Sequence, residues 1–239
     1  MSTRARSLSP FGLLGALVAM SLSMSACTGD PKAEETGPPV TIAPEDMIDD
    51  FEDGDDVILE RGSRTGYWYT YKDLTGGTLT PDEGAPVMPE MGGANGSFRA
   101  VRYFGGGFKE WGAGLGFQFS KVMNDPPGKY NLSAYTGMAF WAKGNVPIRV
   151  TFGLPEVLPG SEGGTCVDNA TMTNCHDVHG MIVQLTKDWR QIKVPFDRLR
   201  QEGFGLKATW DPTKVISSGF DVGPVNSFEV FIDDVGFYK

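Results

Sequence analysis

The chain has 239 residues, of which 40% are hydrophobic and 32 are glycine, enough apolar material for one domain with a real core once the N-terminus is set aside. Twenty-one basic side chains face 30 acidic ones, a formal charge of −9 with no basic block along the chain. A polyanion would be repelled, which excludes nucleic acid as a partner and leaves neutral ligands and cations open.

Residues 1–27 have the anatomy of an export signal: Arg4 and Arg6, a mostly apolar run from Phe11 to Leu22, then Met24-Ser25-Ala26-Cys27. The run is shorter than the roughly 20 residues of a permanent membrane span. Its ending, MSAC, resembles the bacterial lipobox, with Met24 where Leu is more usual, and this implies lipidation of Cys27 and contact with a membrane through that lipid anchor only. An ordinary secretory signal cleaved near Ala26 is the alternative. Thr28 is not the acid that retains lipoproteins at the inner membrane, which favours the outer membrane of a bacterial cell envelope. Without Arg4 and Arg6 the rest of the chain holds 19 basic and 30 acidic residues, a formal charge of −11.

Residues 28–46, TGDPKAEETGPPVTIAPED, are rich in Pro, Glu, Thr and Gly and nearly free of large apolar side chains. Too little surface can be buried there to offset ordering, so a flexible tether is predicted, with the folded domain spanning residues 47–239. An acidic run, Asp49-Asp50-Phe51-Glu52-Asp53-Gly54, opens that domain. It fails as an EF-hand loop, because Phe51 stands where a ligand is needed and no helix flanks it.

Short apolar or alternating runs follow, separated by Gly, Pro, Asn and Asp: residues 57–62, 66–73, 97–105, 114–122, 136–144, 148–154, 180–186, 190–196 and 228–238. These read as strands. Only Phe196 to Glu202, between Pro195 and Gly203, suits a turn or two of helix. So many strands without intervening helices predict an all-β fold, an antiparallel β-sandwich of jelly-roll type.

Within residues 66–73, GYWYTYKD, the two-residue strand period puts Tyr67, Tyr69 and Tyr71 on one face and Trp68 on the other. If Trp68 anchors the core, the tyrosines line the outer face, where flat rings with polar tips suit pyranose stacking and Asp73 accepts hydrogen bonds. The plain alternative is an edge strand with ordinary exposed aromatics. Trp111 follows a glycine-rich loop and is expected on a rim, whereas Trp141 and Trp189 sit in strongly patterned strands and are expected in the core. The glycines of residues 104–108 and 112–116 match no nucleotide-binding fingerprint and read as turns or closely packed strands.

With Cys27 assigned to the anchor, Cys166 and Cys175 remain, and an even number in an exported chain predicts a disulfide. A zinc site with His176 and His179 is the rival, without the usual C-x2-C spacing. At the far end, Phe231-Ile-Asp-Asp-Val-Gly-Phe237 places Asp233 and Asp234 in apolar company. The first and last strands of a jelly roll lie side by side, so Glu52 and one of these aspartates are placed to share a calcium ion, the cation that hard oxygen ligands select. Asp50 belongs to the same candidate set, and Asp53, Asp55 and Asp56 read as a solvated loop.

DDFEDGD, FWAKG (Phe140 to Gly144), W-x-x-I-x-V-P-F (Trp189 to Phe196) and FIDDVGF together resemble the galactose-binding-like jelly rolls, including calcium-containing carbohydrate-binding modules of families 11 and 4. The resemblance runs from about Ile48 to Tyr238. It implies a structural calcium held by Glu52, a nearby carbonyl and Asp233, and a sheet face or edge loops that hold a polysaccharide or oligosaccharide. The expected function is therefore an exported lipoprotein with a non-catalytic carbohydrate-binding domain. A polysaccharide-cleaving enzyme and an envelope protein-interaction adaptor stand as alternatives.

Overall fold

The computed structural model describes residues 38–121, 125–168 and 174–239; the expected export signal, Cys27 and the first part of the expected tether fall outside them. Twelve strands form two antiparallel sheets. The larger has the order β10 (Arg190–Pro195), β7 (Gly137–Gly144), β12 (Phe228–Tyr238), β5 (Arg99–Gly106), β3 (Thr78–Thr80), with β1 (Met47–Asp49) paired to β12 and β4 (Glu90–Met91) to β5. The smaller runs β2 (Trp68–Lys72), β6 (Ala113–Gln118), β11 (Ser217–Val222), β8 (Ile148–Gly153), β9 (His179–Val183). Among the described residues the only helical elements are four three-residue 3-10 turns. The jelly-roll sandwich expected from the pattern is the observed architecture.

The sheets bury one face each, and their inner side chains interleave. Trp68 sits between them, with ring centroids 4.7 Å from Phe117 and 5.1 Å from Phe51. Phe140 and Phe220 meet edge to face at 4.9 Å across the same layer. In β12 alternation holds from Phe228 to Ile232, then breaks at a bulge where Asp234 takes a left-handed backbone, φ 47°. Asp233, ahead of the bulge and opposite Trp141, is buried beneath the segment at Gly93 and Ala94, and beyond the bulge Val235 is buried opposite Asp49.

The chain ends meet as expected: Met47 lies opposite Gly236 and Asp49 opposite Val235. The structured part starts before Met47, however. Val40 exchanges two hydrogen bonds with the Gln191 side chain, Lys193 Nζ donates to the Pro38 carbonyl, and Ile42 packs where a Cβ on Gly236 would stand. Proline and isoleucine, read as tether composition, here lay an extended strap on the larger sheet. A cavity of about 390 Å³ lies along this seam, lined by Val40, Thr41, Ala43, Asp46, Phe237, Tyr238 and Lys239.

Other strand expectations are adjusted. Residues 57–62 supply only an isolated bridge, Val57 to Tyr67, and the helical expectation at Phe196 shrinks to the 3-10 turn Phe196–Arg198. β1, β3 and β4 are too short to show a period. β11, SSGFDV, reads as loop because serine and glycine dominate its start.

Candidate functional site

β2 is an edge strand of the smaller sheet, and its alternation is resolved as expected. Trp68 is 2% exposed, and its Nε1 donates to Asp49 Oδ2 at 2.6 Å. Tyr67, Tyr69 and Tyr71 lie on the outer face with centroids 6.2 and 5.8 Å apart, and Trp111, 52% exposed, continues the row 6.2 Å beyond Tyr71. Four rings thus form one aromatic strip.

Glycines on the neighbouring strands set how the rings lie. Tyr69 is opposite Gly116, which is opposite Gly219; Tyr71 is opposite Gly114. A Cβ on Gly114 would stand 2.4 Å from Tyr71 Cζ, and one on Gly219 would stand 2.4 Å from the Tyr71 hydroxyl. On Gly116 it would stand 3.1 Å from Tyr71 Cε1 and 3.3 Å from Tyr69 Cζ. The rings of Tyr69 and Tyr71 therefore rest across a floor without side chains, both half-buried, while Tyr67 at the start of the row is exposed. In sequence these glycines read as turns or close-packed strands; the second reading holds, for a specific purpose.

Tyr71 reaches two strands over and donates its hydroxyl to Asp221. Asp221 lies opposite Arg149, and Gly219 opposite Thr151. Burial raises the Asp221 carboxyl above its usual range, despite donation from Tyr71 and Thr151 and the charge of Arg149. Burial also raises the Tyr69 and Tyr71 phenols, so both stay neutral donors at physiological pH. The Arg149 guanidinium lies over Gly180, donates to the carbonyls of Val178 and Arg200, and has Glu202 Oε1 3.8 Å away.

Asp73 departs from its expected role. It is buried, and its oxygens accept from the Thr75 hydroxyl and from the backbone N–H of Thr75, Glu110 and Gly112. It therefore fastens the loop that carries Trp111 and offers a ligand nothing directly. Burial alone would raise this carboxyl, but the four donations outweigh it and hold the group below the carboxylate range. An acid depressed in the folded state adds stability that is complete above its unfolded value, about 3.9, and is lost as pH falls through the folded value. The melting-temperature gap between the wild type and Asp73→Asn is thus expected to be widest near pH 7 and to shrink below about pH 3; scanning calorimetry across pH measures it.

Two loops border the trench. The connection after β8 folds back so that Leu158 Cδ1 lies 2.6 Å from where a Cβ on Gly153 would be, and it carries Glu162 and, after the disulfide, His176. Cys166 and Cys175 are joined, Cα to Cα 5.7 Å. That removes the zinc rival, because both thiols are consumed. On the other border, Asp177 accepts from the N–H groups of Glu202, Gly203 and Gly205, shaping a loop that exposes Phe204 and Leu206.

The acids of the two chain ends occupy the larger sheet. Asp233 is fully buried, with Oδ2 accepting from Ala94 N at 2.7 Å and Oδ1 from Asp234 N at 2.8 Å. Its carboxyl is pushed up to about 7 by burial and by Asp234. Asp234 is raised by burial and then by Asp50 and Glu52, which places these acids in one neighbourhood. Glu52 Oε1 accepts from Ser97 Oγ, Phe98 N and Arg99 N. No ion pair reaches Asp50, Glu52, Asp233 or Asp234 among the described residues. The donor set is hard oxygen with surplus negative charge, the chemistry that calcium suits. Among the described residues the one trio whose potential ligand atoms lie within 4.8 Å of one another is Cys166, Asp168 and Cys175, which lies elsewhere and is spent on the disulfide and on backbone N–H groups; no three of Asp50, Glu52, Asp233 and Asp234 converge that closely. Asp53 and Asp55 are exposed.

Trp189 and Trp141 are not core residues. Both are half-buried on the outside of the larger sheet, where Lys143 Nζ sits 4.7 Å from the Trp189 ring centroid and 4.4 Å from that of Phe231. Their strands are strongly patterned, but the period separates two faces without labelling the inner one. Asp221, Arg149 and Thr151 escaped the sequence reading because they come from β11 and β8, remote in sequence from the tyrosines they face.

A family model described as carbohydrate binding domain 30 matches residues 93–239. The chain is 25% identical over 228 residues to endoglucanase 3 of Fibrobacter succinogenes, covering 89% of this chain and 30% of that protein. It thus spans under a third of the curated relative's length. Similar solved structures are the family 11 carbohydrate-binding module of a Clostridium thermocellum cellulosomal cellulase (TM-score 0.49, 14% identity, 84% of this chain and 96% of that one) and a family 30 module of another cellulosomal cellulase from that organism (TM-score 0.47, 14% identity, 72% and 91%).

Proposed function

Since the chain belongs to the carbohydrate binding domain 30 family, we propose that the strip Tyr67, Tyr69, Tyr71, Trp111 is its glycan platform and that it binds a neutral polysaccharide or oligosaccharide without cleaving it. The observation that carries this reading is the pair of rings, Tyr69 and Tyr71, resting on Gly114, Gly116 and Gly219 and continued by Tyr67 and Trp111. A pyranose ring has an apolar face edged by hydroxyls, and an aromatic ring already held over the sheet meets that face with little ordering cost on binding. The formal charge of −9 favours an uncharged glycan.

The endoglucanase activity of the relative belongs to a much longer protein. In this chain Asp221, the carboxylate beneath the strip, is spent on Tyr71 and Thr151 beside Arg149, which supports a binding role for that group. The remaining expectations extend the proposal. Lipidation at Cys27 would hold the domain at the bacterial envelope, with the outer membrane favoured. A structural calcium would be held by Glu52 with Asp233 or Asp234, a nearby carbonyl and Asp50 completing the candidate set, where it would offset the mutual repulsion of these acids.

Affinity-gel retardation of the purified chain in β-glucan, xylan and mannan, with reducing-end release measured on the same polysaccharides, tests the function. Retardation without release is expected. Release of reducing ends would replace the reading with an enzyme, and no retardation in any gel would remove it.

A further inference from the structure

The β8–β9 connection places a glutamate–histidine pair at the border of the aromatic strip. Its first limb leaves β8 at Gly153, which pairs with Ser217, and doubles back over that part of the face through Leu158. Glu162 follows in a 3-10 turn, close enough to Tyr69 for its carboxylate charge to act on the phenol. The returning limb brings His176, whose Nε2 lies 3.0 Å from Glu162 Oε1, both side chains about half exposed.

Several ties fix the two limbs. Cys166 and Cys175 are bonded, Asp168 Oδ1 accepts from the N–H groups of Asn174 and Cys175 at 2.9 Å each, and His176 N donates to the Val157 carbonyl at 2.7 Å. His176 holds a left-handed backbone, φ 67°, a strained conformation for a non-glycine residue that these ties maintain.

We propose that Glu162 and His176 form a polar clamp on the sugar ring that stacks over Tyr69, reading its hydroxyls, and that the Cys166–Cys175 disulfide holds the clamp in register. The inference rests on the aromatic strip being the glycan platform. Stacking grips the apolar face of a pyranose and discriminates poorly between sugars that differ at one hydroxyl. Discrimination requires directional groups at the ring edge, and those carrying charge hold hydroxyls most strongly. The pair consumes one carboxylate oxygen and one ring nitrogen, so a further acceptor and the second imidazole nitrogen are available to adjacent hydroxyls.

The test is isothermal titration of the full chain with cellohexaose, xylohexaose and mannohexaose, using wild type, Glu162→Gln, His176→Asn and Tyr69→Ala, with melting temperatures recorded for each. The clamp variants are expected to lose about tenfold in affinity for the preferred hexaose, as for a charged hydrogen bond, and less for the others, compressing the ratio between glycans at least about threefold. Equal losses on all three hexaoses would mean that the pair only supports the loop, and unchanged affinities would mean that it touches no sugar; either overturns the clamp while the platform stands. If Tyr69→Ala binds like wild type, or wild type binds no hexaose, the platform reading falls and the clamp with it. The Cys166→Ser, Cys175→Ser double variant should reproduce the compressed ratio, and wild-type selectivity without the bridge would remove its part in the proposal.

Discussion

Replacing Tyr71 by alanine is expected to weaken glycan binding about 30-fold, some 2 kcal/mol, the scale of an aromatic hot spot. Tyr71 is the middle of the strip, between Tyr69 at 5.8 Å and Trp111 at 6.2 Å, and its hydroxyl is tied to Asp221, so its ring is held before the ligand arrives. Gly114→Ala separates the role of ring position from that of ring presence. The added methyl would stand 2.4 Å from Tyr71 Cζ, so the ring must lift off the sheet although every aromatic residue remains. A loss approaching that of Tyr71→Ala is expected, with the domain still folded, because the nearest atoms the methyl meets belong to the Tyr71 side chain and not to backbone. Titration with the best-bound glycan reads both variants. Wild-type affinity in Tyr71→Ala would take the strip out of the site, and wild-type affinity in Gly114→Ala would mean that ring tilt is unimportant.

Chelation should lower the melting temperature of protein purified with calcium by about 8 to 16 °C, because an ion at a thousand times its Kd adds about 4 kcal/mol and a domain of this size shifts roughly 2 to 4 °C per kcal/mol. The reason lies at the junction of β1 and β12, where Asp50, Glu52 and Asp234 gather beside the fully buried Asp233 without an ion pair. Burying such a group without a counter-charge is costly, and a divalent cation offsets that cost. Glu52→Ala and Asp234→Asn should each narrow the difference between calcium-loaded and chelated protein. Glu52→Ala will also destabilise the chelated form, since Glu52 Oε1 anchors the backbone at Phe98 and Arg99. The informative quantity is therefore the calcium-dependent difference within each variant. Identical melting with and without chelator in the wild type would eliminate the ion.

Trp68 and its flanking tyrosines show what a strand period can and cannot say. The alternation alone assigns them to opposite faces, and Trp68 is the inward one, as its size favours. The same reasoning applied to Trp141 and Trp189 chose the wrong face. In β7 and β10 the smaller residues Met138, Phe140, Ile192 and Val194 fill the core, and the tryptophans cover the outside beside Lys143. Period distinguishes two faces; only packing against the opposite sheet names the buried one.

Local chemistry was legible in the sequence wherever the partners are near in the chain or the inference needs only a count. The all-β class follows from short alternating runs, the disulfide from two cysteines left after the lipobox, and the aromatic row from three tyrosines two residues apart. Tertiary structure decided the rest. Gly114, Gly116 and Gly219 become a floor, Asp221 becomes an anchor for a tyrosine 150 residues away, and Asp73 turns from a ligand contact into the fastening of the Trp111 loop. Strand pairing brings these residues together through backbone hydrogen bonds, which every residue except proline can make. The side chains therefore carry little record of which strands will become neighbours.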